Sequence, residues 1–209
     1  MIRNSTMLLI LRPALLAALA ILAGCTVLPE SEPVQLLDPQ LSAPEATGEP
    51  VAWTLKVARP DADPARDSAR VLVRTDQGQL QVHSSARWVA AAPELFRTQL
   101  VRYLRDGDVF AQVSAGAGGM DRTLALDLRR FELAETGADP LDADIRVEAR
   151  LYDSRTSALL ARRLFQARQA VDSTEPEQVL AGFEAALGEI IPSLAGWLRD
   201  HEGPGTVAR

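Results

Sequence analysis

The chain has 209 residues, 47% hydrophobic and 24% charged, with a formal net charge of −6. That length holds one ordinary domain plus a tether, and the mixture is that of a globular protein. The acidic balance argues against nucleic acid, which demands a basic footprint, and against broad adhesion to anionic lipid headgroups.

The first element is a leader. Arg3 and Arg12 flank the start of an apolar stretch running from Pro13 to Leu22, and Leu22-Ala23-Gly24-Cys25 closes it. A basic n-region, a short apolar h-region and small residues at the cut mark residues 1–24 as a secretory signal peptide. The apolar run is shorter than the ~20 residues that span a bilayer, so a transmembrane anchor fits less well. The Leu-Ala-Gly-Cys ending resembles the bacterial lipobox, in which the cysteine is acylated and then becomes the first residue. The alternative is an ordinary signal peptide that ends near a cysteine by chance. Cys25 is the only cysteine. Lipidation therefore leaves no thiol for a disulfide, and the fold must stand on its own core. Acyl chains on Cys25 supply the membrane attachment, at ~0.8 kcal/mol per buried methylene.

Residues 25–50 form the lipidated cysteine and a proline-rich tether. Pro29, Pro33, Pro39, Pro44 and Pro50 interrupt any helix or central strand. Fully stretched at ~3.1 Å per residue, such a tether reaches on the order of 75 Å. One apolar island, Val34 to Leu37, could dock on the domain.

The domain covers residues 51–201. Val51 to Val57 reads as a strand, and Pro60 to Ala69 as a loop. Val71 to Thr75 and Gln79 to His83 flank Asp76-Gln77-Gly78, a hairpin turn with glycine available for positive φ. A helix follows, with Pro93 in its first turn, Glu94 complementing the dipole and Gly107 closing it. Leu95, Phe96, Leu100, Tyr103 and Leu104 share one face. Phe110 to Ser114 is a short strand, and Ala115 to Asp121 a glycine-rich turn. Leu124, Leu126 and Leu128 alternate with polar residues. The apolar parity then shifts to Phe131 and Leu133, which requires a β-bulge near Arg129-Arg130. Ile145 to Leu151 and Leu159 to Val171 form a hairpin through Asp153 to Ser157.

The last helix carries a stripe of Leu180, Phe183, Leu187, Ile190, Ile191, Leu194 and Trp197. Thr174 and Glu177 predict a capping box, and Pro192 predicts a kink softened by Gly188. Residues 202–209 read as a flexible tail. The expected fold is α+β: a single domain with a mostly antiparallel sheet and two helices packed on one face.

Sites for chemistry are scarce. The histidines are His83 and His201. His83 and Ser84 are adjacent in a strand and point to opposite faces, and no nucleophile elbow is present. His201 reads as a solvated partner of the helix C-terminal dipole. Asp61, Asp63 and Asp67 lack calcium-loop spacing, and no His or Cys set suits zinc. Gly116, Gly118 and Gly119 precede a strand, whereas a phosphate cradle needs a helix. No catalytic residue, metal or cofactor is expected. Trp53, Trp88, Trp197 and Leu198 are the candidates for a groove or partner surface, since aromatics are enriched there; a core role is the competing reading.

The arrangement resembles the ABC-type transport auxiliary lipoproteins, the PqiC-like group. The resemblance rests on the lipobox at Cys25, Leu36-Leu37-Asp38-Pro39, and the strand opening at Trp53. It continues through Asp67-Ser68-Ala69-Arg70-Val71, Ala86-Arg87-Trp88, Pro93-Glu94-Leu95, and Phe110 with Val113. The strand Leu124 to Phe131 and the Asp153 to Ala167 hairpin also fit. Before the Leu-Leu pair the family often carries an aromatic, where Val34-Gln35 stands here. The resemblance implies a lipid-anchored periplasmic domain that works with an MCE-domain protein and an ABC transporter to move phospholipid or other hydrophobic molecules between the membranes. Thr26, where aspartate would favour inner-membrane retention, implies the outer membrane. Self-association into a homo-oligomer is left open. The rival readings are an envelope-assembly lipoprotein of the LptE type and a lipid-anchored hydrolase using scattered carboxylates or Ser84.

Replacing Cys25 with serine is expected to abolish incorporation of labelled palmitate and to leave the leader attached. Mass spectrometry of the native chain checks this, and a free thiol on an uncut polypeptide overturns it.

Overall fold

The computed structural model describes residues 33–42, 49–116, 118–137 and 141–201. The leader, Cys25, the tether segments 25–32 and 43–48 and the tail 202–209 lie outside the described residues. Val34 onward packs as one compact unit.

The elements run β1 (Gln35–Leu37), β2 (Val51–Val57), β3 (Arg70–Arg74), β4 (Leu80–Trp88), α1 (Ala92–Asp106), β5 (Phe110–Ser114), β6 (Arg122–Glu135), β7 (Leu141–Asp153), β8 (Leu159–Val171) and α2 (Pro176–Arg199). All strands join one 8-stranded sheet. The fold is α+β as expected, and the sheet is antiparallel through its long strands and parallel where the shorter ones join it. β3–β4, β6–β7 and β7–β8 are antiparallel, whereas β1–β4, β2–β5, β2–β6 and β3–β6 are parallel. Helix α1 and other long crossovers separate the parallel partners, as parallel pairing requires.

β6 organises the sheet. β7 covers one edge along its whole length, and β2 and β3 share the other. The ladder with β7 slips between Leu128 and Arg130. This bulge keeps Leu124, Leu126, Leu128, Phe131 and Leu133 all inward and nearly solvent-free. β1 lies inside the stretch read as tether: Leu37 is buried, and Gln35–Leu37 pair with Ala86–Trp88 at the sheet edge.

Both helices lie over the buried face. Phe183 of α2 meets Trp88 at 4.7 Å and Phe131 at 4.8 Å between ring centroids, tying helix, β4 and β6 together. Such aromatic pairs add ~0.5–1.5 kcal/mol each beyond their buried area.

The helix ends differ in detail from expectation. α1 stops at Gly107 with φ −90°, and Asp108 takes the left-handed conformation at φ +47°. At α2 no capping box forms. Glu175 is the N-cap, in extended geometry, and no side chain caps it. Pro176 opens the helix without a donor to satisfy. Helix α2 runs continuously past Pro192. By length and a mean hydropathy of 1.3 it could cross a membrane, but half of that window is buried in the domain. In the β3–β4 hairpin, Gly78 adopts φ +83° as the turn demands.

Gly182 marks where α2 approaches the sheet most closely. A methyl group there would sit 2.4 Å from Val171 Cγ2 and 3.4 Å from Ala143 Cβ. At Gly196 an added methyl meets nothing within 4 Å. Gly182→Ala should therefore destabilise the fold by roughly 1–3 kcal/mol through overpacking, while Gly196→Ala stabilises it by up to about 1 kcal/mol through helix propensity. Urea unfolding of both variants checks the opposite signs.

Candidate functional site

The start of β2, the turn before β6 and the β7–β8 turn converge around a cleft of about 830 Å³ lined by Val51, Trp53, Met120, Asp121, Arg122 and Arg155, among others. Trp53 of β2 lines the cleft, half-buried, between two neighbours. Phe110 packs at 4.6 Å between centroids, and the Arg122 guanidinium lies 4.2 Å from the indole centroid. The indole N–H is buried without a protein acceptor. Arg122 also donates from Nη1 to the carbonyl of His201, which fastens the end of α2 to the cleft wall. Burial lowers the Arg122 pKa from its ordinary value, yet a guanidinium retains its charge.

Two carboxylates of the cleft, Asp121 and Asp153, are engaged in its construction. Asp121 Oδ2 accepts the Thr54 backbone N–H at 2.8 Å and the Thr54 hydroxyl at 2.9 Å, while the Asp121 N–H donates to Thr54 Oγ1. Those donors hold the Asp121 carboxyl below its usual pKa. Asp153 Oδ1 accepts from the Thr156 N–H at 2.7 Å, the Thr156 hydroxyl at 2.8 Å and the Arg155 N–H at 3.1 Å, and is lowered for the same reason. Both groups buttress turns.

Of the four candidates read from the sequence, Trp53 lines this cleft. Trp88 is 1% exposed in the aromatic cluster, and Leu198 is 0% exposed on the inner stripe of α2. Trp197 is buried against Phe165, at 5.8 Å, and His201, at 5.1 Å. The structure therefore does not gather the four into one groove. Hydrophobicity marks a side chain for burial or for a partner without distinguishing them. Arg122 is the cleft residue that sequence reading missed. Its place at the start of β6, paired in register with Leu55 two residues beyond Trp53, becomes visible only once β2 and β6 are known to be neighbours.

The other chemical candidates have structural employment. His83 Nε2 donates to the Thr174 carbonyl at 2.7 Å and its Nδ1 accepts the Ser85 N–H at 3.3 Å, so both ring nitrogens are occupied away from Ser84. His201 is packed rather than solvated: Nδ1 bonds the Trp197 carbonyl at 2.7 Å. Asp63 pairs with Arg66 and accepts the Ala65 and Arg66 N–H groups, whereas Asp67 pairs with Arg59 at 2.5 Å. Asp61 bridges through its backbone to β6. Among the described residues, no group of three or more His, Cys, Asp or Glu is poised around a common point.

Fold and cleft together define an α+β domain with a surface cleft in which Asp121 and Asp153 are bonded to neighbouring backbone and hydroxyl groups. The model of the family described as ABC-type transport auxiliary lipoprotein component matches residues 35–195. The chain belongs to that family. A crystal structure of a protein from Xanthomonas campestris is 32% identical, with a TM-score of 0.74, over 79% of this chain and 94% of that one. A second solved protein, 14% identical with a TM-score of 0.59 over 77% of this chain and 99% of the other, shares the fold. An uncharacterised protein of Bradyrhizobium diazoefficiens is 26% identical over 173 residues, 79% of this chain. The match spans 45% of that relative's length.

The clamp between Asp121 and Thr54 has a pH signature. A carboxyl whose folded pKa is depressed contributes stability above its unfolded pKa of ~3.9, and loses it as pH falls through the folded value. Asp121→Ala should therefore lower the melting temperature at pH 7, and the gap to the parent should narrow as the pH is taken well below the ordinary carboxylate range. Thermal melts at the two pH values check it. An equal gap at both assigns the loss to packing instead.

Proposed function

We propose that this chain is a non-enzymatic outer-membrane lipoprotein and the docking component of an ABC transporter–MCE protein system that moves phospholipid or another hydrophobic cargo between the membranes. The observation that carries the reading is the family match across residues 35–195, joined to the lipobox at Cys25 and to Thr26 after it. In this scheme the acyl chains on Cys25 hold the protein at the membrane and the folded domain offers its surface to the MCE protein. Transport energy comes from the ATPase, so the domain has no reaction to catalyse. That role suits a site in which Asp121 and Asp153 are committed to turns and His83 to a backbone carbonyl. The Trp53 cleft is the candidate contact for the partner, whereas Trp88, Trp197 and Leu198 stand buried in the core.

Affinity purification of the tagged lipoprotein from solubilised envelopes is expected to recover an MCE-domain protein and transporter subunits. Recovery should be retained after Ser84→Ala, which a hydrolase would not tolerate without loss of activity. Recovering no lipid-transport component under mild extraction would remove the proposal's basis.

A further inference from the structure

The helices cover one face of the sheet. On the other face of β6, β7 and β8 no described helix or strand is layered; the loop between β2 and β3 covers it only where Arg66 reaches Glu132, and beyond that the register sets like charges side by side. Arg150 lies directly across from Arg162, and Arg130 directly across from Arg146. Like charges facing each other across strands destabilise a sheet. Most carboxylates of the face are already taken, and among the described residues Asp142, four residues along β7 from Arg146, holds no ion pair with Arg146, Arg150 or Arg162. Glu148 pairs with Arg129 at 2.5 Å, Asp144 with Arg130 at 2.7 Å and Arg168 at 3.3 Å, and buried Glu132 with Arg66 and with Arg74 at 2.5 Å. Arg150 reaches Glu148 only at 3.6 Å. Among the described residues, Arg146 and Arg162 have no carboxylate within 4.0 Å, and the Arg146 Nε is buried without an acceptor. An acidic chain thus carries a face with a local surplus of guanidinium groups.

Apolar side chains stand among them. Leu164 is 41% exposed on the same face, opposite Glu148, and Leu160 is 42% exposed in the bulge beside Arg162. Buried hydrophobic side chains fill the opposite face, so these leucines are not an overflow of the core. Guanidinium groups bind phosphate with matched, forked geometry. Leucines set between cations suit the boundary between headgroups and acyl chains. A lipid interface supplies phosphates for the arginines and acyl chains for the leucines side by side.

We propose that this open sheet face docks on an anionic phospholipid surface, with Arg146, Arg150 and Arg162 meeting headgroup phosphates and Leu160 and Leu164 entering the interface. The proposal draws on the lipid-anchor reading for proximity alone. The net charge of the chain excludes adhesion over its whole surface, whereas a face of this size acts within about one Debye length and is not governed by the total.

The test uses the mature chain from residue 25 with Cys25→Ser, so that no acyl chain contributes and failure of the anchor reading cannot imitate failure here. Its sedimentation is compared with vesicles of phosphatidylcholine alone and vesicles containing phosphatidylglycerol. At low salt, binding to the anionic vesicles should exceed binding to the neutral ones at least about ten-fold, and should fall at 0.5 M salt. Arg162→Gln and Arg146→Gln should each weaken binding about five-fold, and Leu164→Ser should weaken it without changing the salt dependence. Neither arginine holds an ion pair, so the melting temperature serves as the folding control. Equal binding to both vesicle types overturns the proposal. So does unchanged vesicle binding by the arginine variants, or a loss confined to recovery of the MCE protein, which would assign the face to a protein partner.

Discussion

The fold depends on keeping the apolar parity of β6 intact across fourteen residues, Arg122–Glu135. A strand turns alternate side chains to alternate faces, so one extra residue exchanges core for surface. Leu124, Leu126 and Leu128 set the inward face. Continued without interruption, the same alternation would bury Arg130 and Glu132 against the helices and expel Phe131 and Leu133. The bulge between Leu128 and Arg130 absorbs the odd residue. Phe131 consequently meets Trp88 at 5.3 Å and Phe183 at 4.8 Å, and it is through these rings that α2 and β4 lock onto the central strand.

The same correction places Glu132 and Asp144 directly opposite each other on the other face, both fully buried. Two buried carboxylates side by side are tolerable only with cations brought to them. Arg66 descends from the loop between β2 and β3, Arg74 comes from β3, Arg130 and Arg168 flank Asp144, and Gln166 donates to Asp144 Oδ1 at 3.2 Å. Burial of ion pairs gives little net stability, since desolvation offsets most of the attraction. Its effect here is positional. A shifted register for β3 or β8 would leave one of these carboxylates without its arginine, which costs far more than the correct pairing gains. Pairing geometry and loop position are specified together.

Much of this was legible in the residues and some of it could not be. The β7–β8 hairpin, α1, α2 and the bulge announce themselves through local periodicity, because period 2, period 3.6 and a parity break are written within a few residues. The parallel pairings of β1 with β4, and of β2 and β3 with β6, leave no such trace. A parallel neighbour is reached through a long crossover and has no turn chemistry of its own. That is why Val34–Leu37 reads as an island while its place at the β4 edge stays hidden. It is also why Arg122 could not be matched to Trp53. At the start of α2, Thr174 and Glu177 satisfy the sequence pattern of a capping box, but the Thr174 carbonyl holds His83 and the helix begins one residue later, at the extended Glu175 and Pro176. Trp88 and Leu198 show the limit for site residues, since their identities suit a groove as well as the core in which they stand.

The docking of β1 changes how far the domain can stand from an acylated Cys25. Read from prolines alone, the flexible stretch extends to residue 50. Pairing of Gln35–Leu37 with β4, burial of Leu37, and the bond from the Gln40 N–H to Glu184 pin the chain well before that point. The covalent length available before Val34 limits the reach to about 30 Å at ~3.1 Å per residue, less than half the span that the whole proline-rich segment suggests. Under the proposed acylation of Cys25, a domain held that close to its anchor would sample the bilayer surface at high effective concentration, so that weak contacts could orient it. Under the proposed anchoring, the division of labour in the sheet selects the surface that turns to the membrane. The inner face is occupied by helices, and the outer face keeps its arginines and leucines available.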